Sequence, residues 1–325
     1  MRKTALLVLL AAGSQTVMPV TARRTAPMLW GDTSRLGRPF SKDPSVIRFG
    51  GRYLLYYSMP PFADGRKPDG WAVGIAESRN LIEWSKVGEI LPTTPAEGLG
   101  IAAPFAKVIR NEVHLFYQTY GYGPKDAICH AVSKDGLKFE RDASNPVFRP
   151  TGDWNAGRAI DAEVVDWKGK WLLFVATRDP GMKVQMLAGG ASSGGFDRGS
   201  WKQLAARPLL KPELSWEKTC VEAPAALKHG EDLFLFYGGA YNNAPQQIGL
   251  ARSRDGITWT RVGDRPFLTN GAPGEWNSSE SGHPSIFVDD DGREYLFYQG
   301  NNDGGKTWLL SFVRLGWKDG LPVIL

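Results

Sequence analysis

Three carboxylic acids, Asp43, Asp161 and Glu222, stand at the start of apolar segments that lie far apart in the chain. A carboxyl group at the beginning of an apolar strand has little structural reason to be there, because acidic side chains are rarely buried unless they are paired. Two carboxyl groups that face each other can act as a proton donor and a base once their environments separate their pKa values. The pattern therefore predicts acid–base chemistry.

The segments that begin with these acids belong to a repeat. In each copy an apolar stretch is followed by a short turn and an aromatic-rich strand, as in residues 43–57. A fixed period of this kind is typical of propellers and other repeat architectures. The first residues of the five copies, at separations of 60, 58, 61 and 61 residues, are Asp43, Ala103, Asp161, Glu222 and His283.

Each copy contains two hairpins. Gly, Asn and Asp in the short turns tolerate the positive φ that tight hairpins require, as in the turns at residues 133–136 and 253–256. Two hairpins give four antiparallel strands, which is one propeller blade. We therefore predict an all-β fold, a five-bladed β-propeller with four-stranded antiparallel blades around a central channel, formed by a single domain over residues 23–325.

In a propeller the first strand of each blade lines the channel, so the five first residues converge at one end of the axis. Asp43 in blade 1 and Glu222 in blade 4 then approach a ligand from opposite sides. Like charges that converge in a partly desolvated channel raise one another's pKa and cost stability. Such a cost is usually tolerated only at a functional site.

The segments 42–46, 160–163, 221–224 and 282–285, in this order and spacing, resemble those of glycoside hydrolase family 43. The similarity covers essentially the whole chain after residue 22. Members of that family are five-bladed β-propellers, most of which release arabinose, xylose or galactose units from plant polysaccharides with inversion. The resemblance implies a glycosidase that acts on an oligosaccharide or polysaccharide.

The resemblance also implies a role for each axis residue. Asp43 matches the general base, Glu222 the general acid, and Asp161 the acid that orients this donor and raises its pKa. The chemistry requires one protonated carboxyl group for the leaving oxygen and one ionised carboxylate on the opposite face of the sugar. The chemistry requires no cofactor, but a calcium or sodium ion is expected near His283, often held through water.

Sugar-binding residues are expected near the ends of the channel strands, where polar side chains can bond to hydroxyl groups. Trp154 lies in a predicted loop, where an aromatic face can stack on a sugar. The polar candidates are Arg158, Asn242, Glu280, Gln299 and Asn301.

The composition excludes several other functions. The chain has 325 residues, of which 42% are hydrophobic and 22% charged, as is typical of a globular protein. Its 39 basic and 34 acidic residues give a net charge of +5 without any run of five or six like charges. Neither nucleic-acid nor membrane-surface binding is therefore predicted. Cys129 and Cys220 are too far apart for a CxxC site and are expected to be buried thiols.

The N-terminus has the composition of a secretory signal peptide, which we expect to be cleaved after about residue 22. Basic residues 2 and 3 precede an apolar run over residues 5–12, and small residues lie near position 22. The protein is therefore expected to be secreted or periplasmic. No carbohydrate-binding module follows the last predicted blade, which favours short soluble oligosaccharides. We expect an exo-acting enzyme, although exo or endo action depends on whether the channel mouth is a pocket or a groove.

Two alternatives stay open. A related propeller exo-glycosidase could act on fructans or agar oligosaccharides with the same scaffold, although fructan hydrolases carry Cys where this chain has Ala223. A sugar-binding propeller without activity would use the acids only as hydrogen-bond partners. Such a protein has no need to hold carboxylates together against their repulsion.

Overall fold

The computed structural model describes residues 26–67 and 70–325, so the predicted signal peptide at residues 1–22 lies outside the described residues. Within the described ranges, no helix is both long enough and apolar enough to cross a membrane. The helical segments there are single 3₁₀ turns, at Pro95–Glu97, Gly123–Lys125 and Ser215–Glu217.

The β-strands form five antiparallel sheets of four strands, and the strands of each sheet follow chain order. This arrangement confirms the predicted five-bladed β-propeller. Blade 1 contains β1 (Lys42–Phe49), β2 (Arg52–Met59), β3 (Ala72–Ser78) and β4 (Ser85–Ile90), and blade 2 contains β5 (Ile101–Ile109), β6 (Glu112–Thr119), β7 (Ile128–Ser133) and β8 (Glu140–Arg141). Blade 3 contains β9 (Ile160–Trp167), β10 (Lys170–Arg178), β11 (Gln185–Ser192) and β12 (Lys202–Gln203). Blade 4 contains β13 (Val221–His229), β14 (Asp232–Gly239), β15 (Gln247–Ser253) and β16 (Thr260–Arg261), and blade 5 contains β17 (Glu280–Val288), β18 (Glu294–Asn301), β19 (Leu309–Lys318) and β20 (Leu321–Ile324).

The inner strands β1, β5, β9, β13 and β17 close a ring, in which each contacts the next and β17 contacts β1. The segment before β1 completes blade 5, because Trp30 and Leu310 exchange two backbone hydrogen bonds of 3.1 and 2.8 Å. Phe148, Leu210 and Leu268 form the corresponding bridges to the third strands of blades 2, 3 and 4. The N-terminal segment thus forms the bridge to the third strand of blade 5, whereas in blades 2, 3 and 4 a loop of the same blade forms this bridge.

The hydrophobic core is divided into five clusters, each between two neighbouring blades. Strand β2 shows the cause. Leu54 and Tyr56 pack against blade 2, whereas Leu55 and Tyr57 pack against blade 5. Because successive side chains of a strand point to opposite faces, a middle strand that is covered on both sides must be apolar at every position.

Every inner strand begins with a β-bulge, at which the register to the second strand shifts. The bulged residues have φ between 45° and 55°, a region that costs a residue with a Cβ atom roughly 1–3 kcal/mol. In blade 4 the bulged residue is Ala223. The sequence repeat aligned Glu222 with the bulged residues of the other blades, so that alignment is wrong by one position in blade 4. The five bulged residues are Asp43, Ala103, Asp161, Ala223 and His283.

A buried ion cluster supports blade 4. The Arg261 guanidinium donates from Nε to Glu217 Oε1 at 2.7 Å and from Nη2 to Oε2 at 2.8 Å, and the Tyr237 hydroxyl donates to Oε1 at 2.7 Å. Burial by itself would raise the pKa of Glu217, but the hydrogen bonds from Arg261, the backbone and Tyr237 hold that pKa below its ordinary value. The carboxylate is therefore ionised and paired inside the fold.

We expect Glu217→Gln to lower the free energy of unfolding by about 3 kcal/mol, because it removes the buried counter-charge of Arg261 and leaves only the exposed Glu213 as a partner. Urea unfolding followed by circular dichroism measures this loss. Glu213→Gln is the matched control, since Glu213 Oε2 accepts from the same guanidinium at 2.9 Å but its side chain is 57% exposed. The control should lose less than about 1 kcal/mol, and equal losses in the two variants would contradict the assignment.

Candidate active site

The three predicted catalytic acids lie at one end of the propeller axis. Each is the second residue of an inner strand: Asp43 of β1, Asp161 of β9 and Glu222 of β13. Their exposed fractions are 9%, 7% and 7%, so all three are recessed. The ring of inner strands thus brings together acids that lie 118 and 61 residues apart in the chain.

Side chains of the preceding blade hold two of these acids at their bulges. The backbone N–H of Asp43 donates to Gln299 Oε1 at 3.0 Å, and the backbone N–H of Asp161 donates to Gln118 Oε1 at 2.7 Å. Gln118 and Gln299 both come from the end of a second strand. Hydrogen bonds between blades therefore fix the direction in which each acid leaves its strand.

Two carboxamides hold the Glu222 side chain. Gln246 Nε2 donates to Oε1 at 2.6 Å, and Gln185 Nε2 donates to Oε2. Gln246 reaches this place because Gly238 and Gly282 leave room for it; a Cβ atom on Gly282 would overlap Gln246 Oε1, and one on Gly238 would lie 3.2 Å from its Cδ. Glu222 is therefore held from both sides in one orientation.

Two arginines orient Gln185 in turn. Its Oε1 accepts from Arg178 Nε at 2.7 Å and from Arg158 Nη1 at 3.3 Å. Arg158 is buried and pairs with Asp126, with 3.4 Å between Nε and Oδ2. The predicted sugar-binding residue Arg158 therefore acts on Glu222 through Gln185, as a positioning residue.

The environment of Asp161 strongly favours its protonated form. Burial raises the pKa of Asp161 well above its ordinary value, and the negative charges of Glu222 and Asp43 raise it further. Arg158 and Lys42 act in the opposite direction. Asp161 therefore retains its proton at pH values at which an exposed aspartate has lost it, and a proton is held close to Glu222.

His283 of blade 5 pairs with Asp43 of the neighbouring blade 1, with 3.3 Å between Nδ1 and Oδ1. Burial lowers the pKa of His283, and the charge of Asp43 opposes only part of this shift. The neutral imidazole can donate a hydrogen bond to the Asp43 carboxylate.

A calcium ion takes roughly six to eight oxygen ligands. Across residues 26–67 and 70–325, no group of three or more His, Cys, Asp and Glu side chains is arranged to hold a metal ion. His283 offers one nitrogen and lies against a single carboxylate, Asp43. The residues around His283 therefore fit a directly bound calcium or sodium ion poorly, and no chemical step is routed through an ion.

Three predicted sugar-binding residues form one network beside Asp43. Gln299 Nε2 donates to Glu280 Oε1 at 2.9 Å and to Asn242 Oδ1 at 3.2 Å, and Lys42 Nζ donates to the same Asn242 oxygen at 2.7 Å. Glu280 and Gln299 are buried, and burial raises the pKa of Glu280 to about 7. Only Asn242 of these three is exposed, so it is the one placed to meet a sugar.

The last two predicted sugar-binding residues have structural contacts. Asn301 is buried, and its Oδ1 accepts the backbone N–H of Gly305 at 2.9 Å, which closes a turn. Trp154 packs against the apolar cluster between blades 2 and 3.

The sequence analysis singled out Gln299 but missed three other amides that support the site, Gln118, Gln185 and Gln246. Gln185 and Gln246 lie at or just before third strands, whereas the repeat marks only the starts of inner strands. Gln118 and Gln299 left a usable signal, because alignment of the repeats places both at the end of a second strand.

The fold and the acid-lined axis together define a propeller enzyme of the glycoside-cleaving class. The family model for glycosyl hydrolases family 43 matches residues 36–322. The chain therefore belongs to glycoside hydrolase family 43. It spans less than two thirds of the length of the curated relatives it matches, 64% of one and 21% of the other.

Individual relatives are more distant. The chain is 26% identical over 209 residues to a 1,2-beta-oligomannan phosphorylase of Thermoanaerobacter sp. (strain X514), covering 61% of this chain and 64% of that protein. It is 29% identical over 104 residues to an extracellular exo-alpha-(1->5)-L-arabinofuranosidase of Streptomyces avermitilis, covering 29% of this chain and 21% of that protein. A crystal structure of a thermostable family-43 glycoside hydrolase superposes with a TM-score of 0.68 at 21% identity, covering 87% of this chain and 92% of the other, which shows the shared fold.

A fourth acid lies on the axis, two residues after Asp161. Glu163 is buried, and its Oε1 accepts the backbone N–H of Ala226 at 3.1 Å, which links blades 3 and 4. Burial raises the pKa of Glu163 to about 8, although the Ala226 hydrogen bond and the charge of Lys107 act against the shift. Glu163 is thus largely protonated at neutral pH.

The raised pKa of Glu163 makes stability depend on pH. In the unfolded chain Glu163 has its ordinary pKa of 4.5. The contribution of protonated Glu163 to the free energy of unfolding is therefore complete below pH 4.5 and is lost as the pH rises through about 8. We expect the unfolding temperature to fall less between pH 5 and pH 9 in Glu163→Gln than in the wild type, as measured by calorimetry. Glu231→Gln is the control, because the Glu231 side chain is 84% exposed. A fall of the same size in all three proteins would contradict this origin.

Proposed function

We propose that the chain is an exo-acting, inverting glycosidase that releases arabinose, xylose or galactose units from plant-type oligosaccharides. The observation that carries the proposal is the placement of Asp43 and Glu222 on inner strands of blades 1 and 4, which are not neighbours in the ring. A sugar that enters the recess between them meets one carboxyl group from each side. That is the arrangement that glycoside hydrolysis requires.

In this proposal Asp43 is the general base. Its carboxylate lies 3.3 Å from the Nδ1 atom of a neutral His283, which can fix its orientation without taking its charge. Asp43 then removes a proton from the water that attacks the anomeric carbon. Asn242, exposed at the mouth of the recess, is available to bond a sugar hydroxyl.

Glu222 is the general acid, which protonates the leaving oxygen. Gln185 and Gln246 fix its orientation, and Asp161 holds a proton nearby because its own pKa is raised. Glu222 and Asp161 thus form a coupled pair in which one carboxyl group influences the protonation of the other. We propose that Asp161 tunes Glu222 in this way and makes no contact with the leaving group.

The low exposure of the three acids supports exo action, because the end of a sugar chain reaches buried groups more readily than the middle of a chain does. The name of the Streptomyces avermitilis relative supports an arabinose-releasing activity. The predicted signal peptide supports secretion or a periplasmic location. The name of the Thermoanaerobacter relative gives a second candidate, in which phosphate in place of water attacks the same carbon.

The acid and base assignments predict different responses to the leaving group. The wild type is first assayed on aryl α-L-arabinofuranosides, β-D-xylosides and β-D-galactosides to identify the sugar that it releases. The variants are then assayed on an oligosaccharide that ends in that sugar and on the 2,4-dinitrophenyl glycoside of the same sugar. We expect Glu222→Gln to lose about a thousandfold in kcat on the oligosaccharide and far less on the dinitrophenyl glycoside, whose leaving group needs no proton. Asp43→Asn should lose activity on both, because it removes the base that activates water.

Three results would contradict these roles. Full activity of Glu222→Gln on the oligosaccharide would exclude it as the acid. A glycosyl phosphate formed only with inorganic phosphate present would replace hydrolysis by phosphorolysis. Sugar binding without turnover by the wild type on every substrate would favour a binding protein.

The stereochemical outcome can be measured directly. Carboxyl groups that are roughly 6.5–9.5 Å apart leave room for a water molecule and give inversion, whereas a separation of about 5–5.5 Å gives retention. We expect the first sugar released to have the anomeric configuration opposite to that of the substrate, as followed by ¹H NMR before mutarotation. Release of the same anomer would show that Asp43 attacks carbon directly.

A further inference from the structure

Arg178 stands beside the proposed acid without a counter-charge. It ends β10, and its Nε donates to Gln185 Oε1 at 2.7 Å, while Gln185 Nε2 donates to Glu222. Two successive hydrogen bonds, through the Gln185 side chain, therefore link the guanidinium to the Glu222 carboxylate. Within residues 26–67 and 70–325, no carboxylate lies within ion-pair distance of Arg178, and its terminal nitrogens donate to no protein group. The Nη1 and Nη2 atoms of Arg178 have no hydrogen-bond partner among those residues and are not buried, so they face solvent.

The neighbouring charges do not neutralise Arg178. Arg158, which shares the Gln185 oxygen, is already paired with Asp126. The carboxylate of Asp179, next in sequence, accepts the backbone N–H groups of residues 181, 183 and 184 and is occupied in that turn. Neither neighbour therefore supplies Arg178 with a counter-charge.

An aromatic ring lies next to the free guanidinium. Arg178 is 5.3 Å from the ring centroid of Tyr241, which is half-buried in the loop after β14. Burial raises the pKa of Tyr241 to about 12, so its hydroxyl is neutral. An aromatic face beside a guanidinium with two free donors suits a sugar ring that carries a carboxylate, because arginine binds carboxylates through two parallel hydrogen bonds.

We propose that Arg178 binds the carboxylate of a uronic acid residue on the leaving-group side of the scissile bond. The proposal rests on the proposed function, since it is Glu222 as proton donor that defines the leaving-group side. Arg178 reaches Glu222 through Gln185 and has no such link to Asp43. The substrate class is therefore an acidic oligosaccharide, in which a neutral terminal sugar is attached to a uronate.

The position of Arg178 distinguishes a carboxylate from inorganic phosphate. A phosphate that acted as nucleophile would approach the anomeric carbon from the face opposite the leaving group, which is the side of Asp43. There it would meet an ionised carboxylate, and like charges repel. An anion bound at Arg178 lies on the other side, where it forms part of the leaving group.

The test measures binding, so it does not depend on turnover. The full chain is titrated with D-galacturonate, with its neutral methyl ester and with inorganic phosphate, and saturation-transfer NMR reports each affinity. We expect galacturonate to bind at least about tenfold more tightly than the ester, and Arg178→Gln to lose that difference. Arg207→Gln, which removes the same charge from an exposed site of blade 3, should retain it.

Each outcome decides the proposal. Equal binding of galacturonate and its ester, or equal binding by wild type and Arg178→Gln, overturns it. Binding of phosphate alone, lost in Arg178→Gln, replaces the uronate by phosphate. If Arg178→Gln does not fold, Arg178→Lys keeps the charge without the paired donors, and unchanged affinity in that variant overturns bidentate binding. Galacturonate binding that depends on Arg178 in a protein without glycosidase activity would retain this site and reject the proposed function.

Discussion

The β-bulge at the start of each inner strand is the constraint on which the site depends. It forces a residue with a Cβ atom to a positive φ in all five blades, and this conformation persists only where the surroundings hold it. Much of the holding comes from the neighbouring blade: Gln299 binds the bulge of Asp43, Gln118 that of Asp161 and Gln246 that of His283. The backbone strain and the closure of the ring are therefore coupled. A blade cannot adopt its active geometry without the blade before it.

Charge is arranged in two layers around the axis. The acids lie on the inner strands, while cations such as Arg158 and Arg178 lie one side chain further out and reach Glu222 only through a carboxamide. A direct ion pair would stabilise the carboxylate form of Glu222, whereas the proton donor proposed above must carry a proton. The neutral amide of Gln185 orients the side chain without such a pair.

The fold could be predicted from the sequence because its causes are local. Residues 53–57 are apolar at every position since β2 is covered on both faces, and turns rich in Gly and Asp mark the hairpins. The acids could be found because a carboxyl group costs free energy at the start of an apolar strand. In blade 4 the repeat was aligned on the acid Glu222, whereas the bulged residue is its neighbour Ala223, and the positive φ that marks this position cannot be read from residue types. Gln246 could not be found, because its role depends on the space above Gly238 and Gly282, which belong to different blades.

The bridge between Trp30 and Leu310 joins positions 280 residues apart in the chain. Met28, buried in the cluster between blades 1 and 5, belongs to the same junction. The blades follow one another in chain order, so β19 of blade 5 is made after blades 1 to 4. The N-terminal segment therefore has no native partner until blade 5 has been synthesised. Closure of the ring waits for that blade.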